Sequence, residues 1–316
     1  MKDDELKSEG MKKTRLFIIV IASAIAIGIG AAVVLANFAA QNTTDTQNSP
    51  RTVFWRHIHG LGIEPANRNV LYIATHGDFY HSVDGGPPIK VDEKRADYMA
   101  FNAPYAQGIP LYASGHPATG GNTGLIKSTD GGRTWEQVAT ILDPPVDFHA
   151  MSVSKSNPEV IIGFDSANRG LFKTIDAGLN WQKLDPPDYV SSLAISPIDP
   201  NVMFAGAGNG VYLSNDGANT WTHIEPLKKS LILALTFDEE GILYASTEQL
   251  GLSRSFDLGQ TWEKVRSPNL TIMSIAVDAQ NKILYIAGYV PDGFQEVYKS
   301  SDDGSTWDLI GTNKES

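Results

Sequence analysis

Of the chain's seven histidines, five are candidate ligands, His57, His59, His76, His116 and His149, drawn from a span of fewer than 100 residues. Two stand together in His57-Ile58-His59-Gly60, where residues two apart on a strand project to the same side and can offer two donors at once. Neutral imidazole is the commonest side-chain ligand for zinc, copper and similar ions, and mixed His/Asp sets suit a divalent metal. Three carboxylates, Asp97, Asp165 and Glu248, accompany the histidines. Two such groups across a bound sugar supply the acid and the base of glycoside hydrolysis. The sequence holds no nucleophilic Ser or Cys motif, no phosphate-binding glycine loop and no helix-borne metal signature.

What must position these groups is a repeat. A signature of the form Ser/Thr-x-Asp-x-Gly-x-Thr-Trp starts at Ser82, Ser128, Thr174, Ser214, Ser255 and Ser300, with 40 to 46 residues between starts. That period, with four short strands per unit, predicts an all-β fold, a six-bladed β-propeller. Each residue type serves a tight turn: Asp accepts backbone N–H bonds, Gly takes positive φ, and Trp buries its ring behind the turn. Asn180 replaces Thr in the third copy and Ala218 replaces Gly in the fourth. The first keeps only Ser82, Asp84 and Gly86 before Pro87-Pro88, which predicts a surviving turn without its Trp.

Laying the repeats on one another aligns the strands. The second strands read NVLYIATHG, IPLYASGHP, EVIIGFDSA, NVMFAGAGN, GILYASTEQ and KILYIAGYV, and His76, His116, Asp165, Ala207, Glu248 and Tyr289, which stand at or next to the strand end, are expected to share one position. The first strands place His59, Asp97, His149, Ser191, Leu233 and Met273 together near their starts. Adjacent antiparallel strands bring a start and an end to the same face of the disc. The five histidines, with Asp97, Asp165 and Glu248, are therefore expected on one rim, with the repeated turns on the other face. His81 and His223 fall at outer positions, away from that rim.

The repeat resembles the Asp-box, or BNR, motif of sialidases, sortilin-type receptors and photosystem II assembly factors. The resemblance covers roughly residues 53 to 313 and rests on copies such as Ser128-Thr129-Asp130-Gly131-Gly132-Arg133-Thr134-Trp135. It implies a propeller in which the box is a structural turn away from the active face. Sialidase activity, as the resemblance would have it, needs an arginine cluster, a tyrosine nucleophile with a glutamate, and an Arg-Ile-Pro segment. Here Phe54-Trp55-Arg56-His57 stands where that segment would lie, and the spacing of Arg56, Arg95 and Arg169 specifies no triad, so the sequence argues against a sialidase proper.

The amino terminus sets an expected compartment. Residues 1–15 read as a cytoplasmic tail, residues 16–40 as a transmembrane signal anchor, residues 41–52 as a polar linker and residues 53–316 as the propeller. The run from Leu16 to Ala40 is uncharged and long enough for a ~30 Å hydrocarbon core, and Lys12, Lys13 and Arg15 precede it. The competing reading, a cleaved signal peptide, has a shorter apolar core and a clean Ala-x-Ala exit. The expected location is therefore the cell membrane, single-pass, with the propeller on the extracytoplasmic side. The absence of cysteine excludes a lipidated Cys anchor and disulfides.

Net charge is −11, with 25 Lys/Arg against 36 Asp/Glu, which argues against nucleic acid as a partner. Cations, neutral glycans and basic proteins remain compatible. Two function classes follow. One is a His/Asp site that binds a divalent metal and/or a glycan-like or other small ligand, with glycosyl hydrolase-like or metal-assisted hydrolase or lyase chemistry. The other is a non-catalytic propeller that binds a protein or peptide, for which Tyr98, Tyr105, Phe148 and Tyr189 are candidate contacts near the mouth. In a bland reading of the rim, the histidines merely hydrogen-bond neighbouring backbone and water.

Overall fold

The computed structural model describes residues 53, 55–103, 106 and 108–314. The expected anchor, residues 16–40, and the linker, residues 41–52, lie outside the described residues. Among those described there is no α-helix, only a 3-10 turn at Glu225–Leu227, and no helix long and apolar enough to cross a membrane.

Twenty-four strands form six antiparallel four-stranded sheets, each running in sequence order from the innermost strand to the outermost. The innermost strands are Ile58–Ile63, Met99–Asn102, Phe148–Val153, Val190–Ile195, Ile232–Phe237 and Thr271–Asp278, numbered here as blades 1 to 6. Second strands such as Val70–Thr75 are buried at every position, because neighbouring blades cover both faces. Outer strands are short and charged, as in Glu136–Ala139 and Glu263–Lys264, which blunts the sheet edges.

The core is divided among the blade interfaces, and each carries one tryptophan. Trp135, Trp181, Trp221, Trp262 and Trp307 each pack where their own blade meets the preceding one. The first repeat has no such residue, and Trp55 fills the corresponding place between blades 6 and 1, against Tyr80 and Ile310. The ring is closed beside it by Val53 N–H donating to Thr312 O at 2.8 Å, on the outermost strand of blade 6.

Five copies of the repeat form the same turn. In the second, Ser128 Oγ donates to Asp130 Oδ1 at 2.8 Å and accepts from Gly132 N at 2.9 Å, while Thr134 N donates to Asp130 Oδ1 at 2.9 Å. Gly132 has φ +87°, and a Cβ there would meet the Phe79 ring. Ala218 holds the same corner in blade 4 at φ +72° and keeps the Ser214 hydroxyl bond. The first copy departs from expectation. Its chain reverses, but Ser82 Oγ donates to Gly86 O and Gly86 N to Val83 O, a different turn. All six turns join third strands to fourth, so they lie at the disc face opposite the starts of the innermost strands.

Candidate functional site

The innermost strands enclose an axial cavity of about 170 Å³. In five blades the innermost strand bulges as it meets the second, and the extra residues are His59, His149, Ser191, Leu233 and Met273. A bulge re-aims a side chain, and all five line this cavity. The opposite end is spanned by charge: Arg68 pairs with Glu239 and lies 2.7 Å from Asp278, and Lys155 Nζ donates to Phe237 O at 2.5 Å. These contacts tie blades 1, 3, 5 and 6 across the axis. The cavity is smaller than the roughly 300–1,000 Å³ of sites that enclose a drug-sized ligand, so it suits ions, water and small groups, and a larger ligand must lie across the mouth.

Backbone bonds gather the histidines at that mouth. His76 N donates to His57 O at 2.7 Å, His76 bridges to Asp97, and Asp97 N donates to His116 O at 2.8 Å. The rings of His57 and His59 stack at 5.9 Å, and His59 lies 6.2 Å from His76. Asp97 Oδ2 is 2.9 Å from His76 Nδ1, and Tyr289 Oη is 2.8 Å from His57 Nδ1. His149 Nε2 and His116 Nε2 lie 2.8 and 3.4 Å from one oxygen, Asp147 Oδ2. The structure thus brings all five histidines and Asp97 to one rim.

Asp147 is the member that sequence reading missed. Donor atoms of His116, Asp147 and His149 lie within 4.8 Å of one another, the one such group of three among the described residues. The signal was present: Asp147-Phe148-His149-Ala150 matches His57-Ile58-His59-Gly60, with Phe148 and Ile58 both buried between two projecting side chains. Burial pushes the Asp147 carboxyl up, but bonds from His149 and Ser166 and the charge of His116 hold it below the usual carboxylate range. Burial, then His57, His76 and His149, push His59 down to about 3, leaving it neutral at physiological pH.

Asp165 is placed differently from expectation. Pairing sets Asp165 and Ala207 level with Thr75 and Thr247, one residue short of His76 and Glu248. A one-residue shift turns a side chain to the other face of the sheet, and Asp165 is accordingly 0% exposed. Arg169 Nε and Nη2 take its two oxygens at 2.8 and 2.9 Å, and Asp147 N donates to it at 2.9 Å. Arg169 also holds the carbonyls of Pro144 and Pro145. Asp165 therefore braces the loop that presents Asp147 and has no oxygen left for a substrate. Glu248 is exposed and follows the second strand of blade 5, whereas the five histidines belong to blades 1 to 3.

Among the other candidates, Tyr98 and Phe148 are buried between blades, Tyr189 is 53% exposed, and Tyr105 lies outside the described residues. His81 bonds Gly131 O, and His223 stacks on Tyr212, both away from the mouth.

Two buried polar atoms at the mouth have no hydrogen-bond partner within the protein: Asp147 Oδ1 and His59 Nε2. Orphaned buried polar atoms beside clustered imidazoles fit a divalent ion in the zinc or copper class.

No protein-family profile matches the chain. Its sequence is weakly similar to a xyloglucanase of Hypocrea jecorina, 25% identical over 211 residues, which covers 58% of this chain and 23% of that protein. The chain spans about a quarter of the length of the first curated relatives it matches. Among solved structures, the GH74 enzyme of Niastella koreensis superposes with a TM-score of 0.57 at 17% identity, over 83% of this chain and 47% of that one. YCF48 bound to D1 peptide superposes with a TM-score of 0.51 at 17% identity, over 84% and 85% of the two chains. At these identities the superpositions establish the propeller fold alone.

Proposed function

We propose that this protein is a metal-binding propeller whose ion sits at the channel mouth on His116, Asp147 and His149, and which handles a glycan-like or other small ligand laid across the rim. The observation that carries this reading is the convergence of two imidazoles and one buried carboxylate within 4.8 Å. An ion on three protein ligands keeps a position open and supplies Lewis acidity to a bound ligand. Asp165 and Arg169 fix the loop of Asp147, and Ser166 holds its carboxylate at 2.9 Å, so the site is positioned from blade 3. The likeness to xyloglucanases supports a saccharide as the ligand class. A glycosidase working through two carboxylates is less well supported, since Asp165 is sealed and Asp97 is engaged by His76.

Metal analysis and Zn²⁺ or Cu²⁺ titration of the chelator-treated protein test the reading. Wild type should bind at least one ion per chain, and Asp147→Asn with His149→Ala should abolish that ion while thermal unfolding stays cooperative. Binding no tighter than in the double variant would end the proposal.

A non-catalytic, peptide-binding role is the second reading, supported by the likeness in fold to YCF48 over 84% of this chain. A metal-free protein that captures peptides with unchanged affinity after loss of His116 and His149 would favour it. From residues 1–52 we further propose a single-pass anchor with the propeller, residues 53–316, outside the cytoplasmic membrane. Protease added to intact cells should then degrade the propeller.

A further inference from the structure

We infer that the mouth holds a second divalent ion, bound by His57, His59 and His76 of blade 1 beside the ion on His116, Asp147 and His149. The inference rests on the metal-binding reading and deepens it into a two-ion centre of zinc or copper type.

His59 is the extra residue of its bulge, lines the cavity, and has a buried Nε2 with no partner. A nitrogen so placed needs a ligand, and no side chain supplies one. His57 stands two residues before it, with its ring stacked at 5.9 Å, and His76 stands on the paired strand side at 6.2 Å. Imidazoles sharing one tetrahedral zinc at ~2.0–2.1 Å have ring centres about 5 Å apart, so the His57–His59 and His59–His76 pairs need to close by about 1 Å each, with His57 turning from Tyr289 Oη, which lies 2.8 and 3.1 Å from its two nitrogens.

Asp97 supplies the second, independent sign. Its carboxylate holds His76 Nδ1 at 2.9 Å, and its backbone is fixed by His116 O. A carboxylate on one imidazole nitrogen fixes the tautomer and leaves the other nitrogen to a metal, the arrangement found behind metal-ligating histidines. The two sets are also separate in origin. His57, His59 and His76 belong to blade 1, and His116, Asp147 and His149 to blades 2 and 3. Six donors are more than one tetrahedral ion takes, and imidazole-rich sets select copper or zinc over magnesium or calcium.

The test is Zn²⁺ stoichiometry on the full-length protein, by elemental analysis after dialysis and by calorimetric titration. Wild type should hold two ions per chain, His57→Ala/His76→Ala one, and His116→Ala/His149→Ala one. Asp97→Asn should weaken a single ion by about 10–100-fold, leaving the other unchanged. Should the double variants unfold, His76→Gln alone, which preserves volume, must still lower the count to one. A wild type that holds a single ion, kept in His57→Ala/His76→Ala and lost in His116→Ala/His149→Ala, or two ions that both survive the His57 and His76 substitutions, overturns the second site while preserving the first. Zero ions in wild type instead defeats the metal reading as a whole.

Discussion

Lys155 shows how an axial position bends ordinary chemistry. Its amine lines the cavity and donates to Phe237 O, and burial, only partly opposed by Glu239 and Asp238, pushes it down from 10.5 to about 7. The folded state therefore sheds a proton near neutrality that the unfolded chain keeps until about 10.5. Wherever the unfolded state binds more protons, stability rises with pH, so Lys155 destabilises fully below about 7 and progressively less up to about 10.5. Urea midpoints measured at pH 6, 8 and 9.5 should rise more steeply for wild type than for Lys155→Met. Parallel profiles would show that the amine keeps its charge in the fold. Ser128 is a second residue with a defined duty. Its buried hydroxyl holds Gly132 N, and Ser128→Ala leaves that amide unpaired, at a cost of about 1–3 kcal/mol measurable by chemical denaturation. A loss below 0.5 kcal/mol, about the noise of surface changes, would deny the hydroxyl its role in the turn.

At the scale of elements, the lead-in segment replaces what the first repeat lacks. Trp55 packs where the other five blades place the Trp of their own turn, and Val53 stitches that segment to blade 6. Trp55→Ala should cost about 3–5 kcal/mol, and the loss should exceed that of Trp307→Ala because ring closure is weakened with the packing. Equal losses would make closure independent of Trp55. The blades themselves were legible because their turns repeat residue by residue and their second strands repeat as buried apolar runs. The substitute Trp55 was not legible, since nothing local marks a residue that fills a gap made far downstream, at Ile89, where the repeat would have its Trp. The rim histidines were legible through the same alignment. Asp165 was misplaced because it is the equivalent of Thr75, the last residue of its strand, and not of His76 one residue beyond, and period-two geometry turns such a slip into burial. Asp147 holds the place of His57 ahead of its strand, but a lone Asp there does not stand out as a His-x-His pair does.

Across the whole molecule, function and stability meet at the mouth, because His116 comes from blade 2 while Asp147 and His149 come from blade 3. An ion at the proposed site would join two sheets that otherwise touch through packing and single bonds such as Phe148 N to Ser114 Oγ at 3.0 Å. A ligand that binds only the folded state stabilises it by RT ln(1 + [L]/Kd), about 2.7 kcal/mol at a hundredfold excess over Kd. For a domain of this size that amounts to roughly 5 °C in the unfolding midpoint. Zn²⁺ added to chelator-treated protein should therefore raise the midpoint by that order and chelator should reverse it, while His116→Ala/His149→Ala should show less than half the shift. The far end of the axis gives the control: Arg68→Ala breaks the contacts with Glu239 and Asp278 and should lower the midpoint without changing the zinc increment. If the increment vanished with Arg68, the two ends of the cavity would be one coupled unit, and the ion would be sensed by the whole ring and not by the blade 2–3 junction.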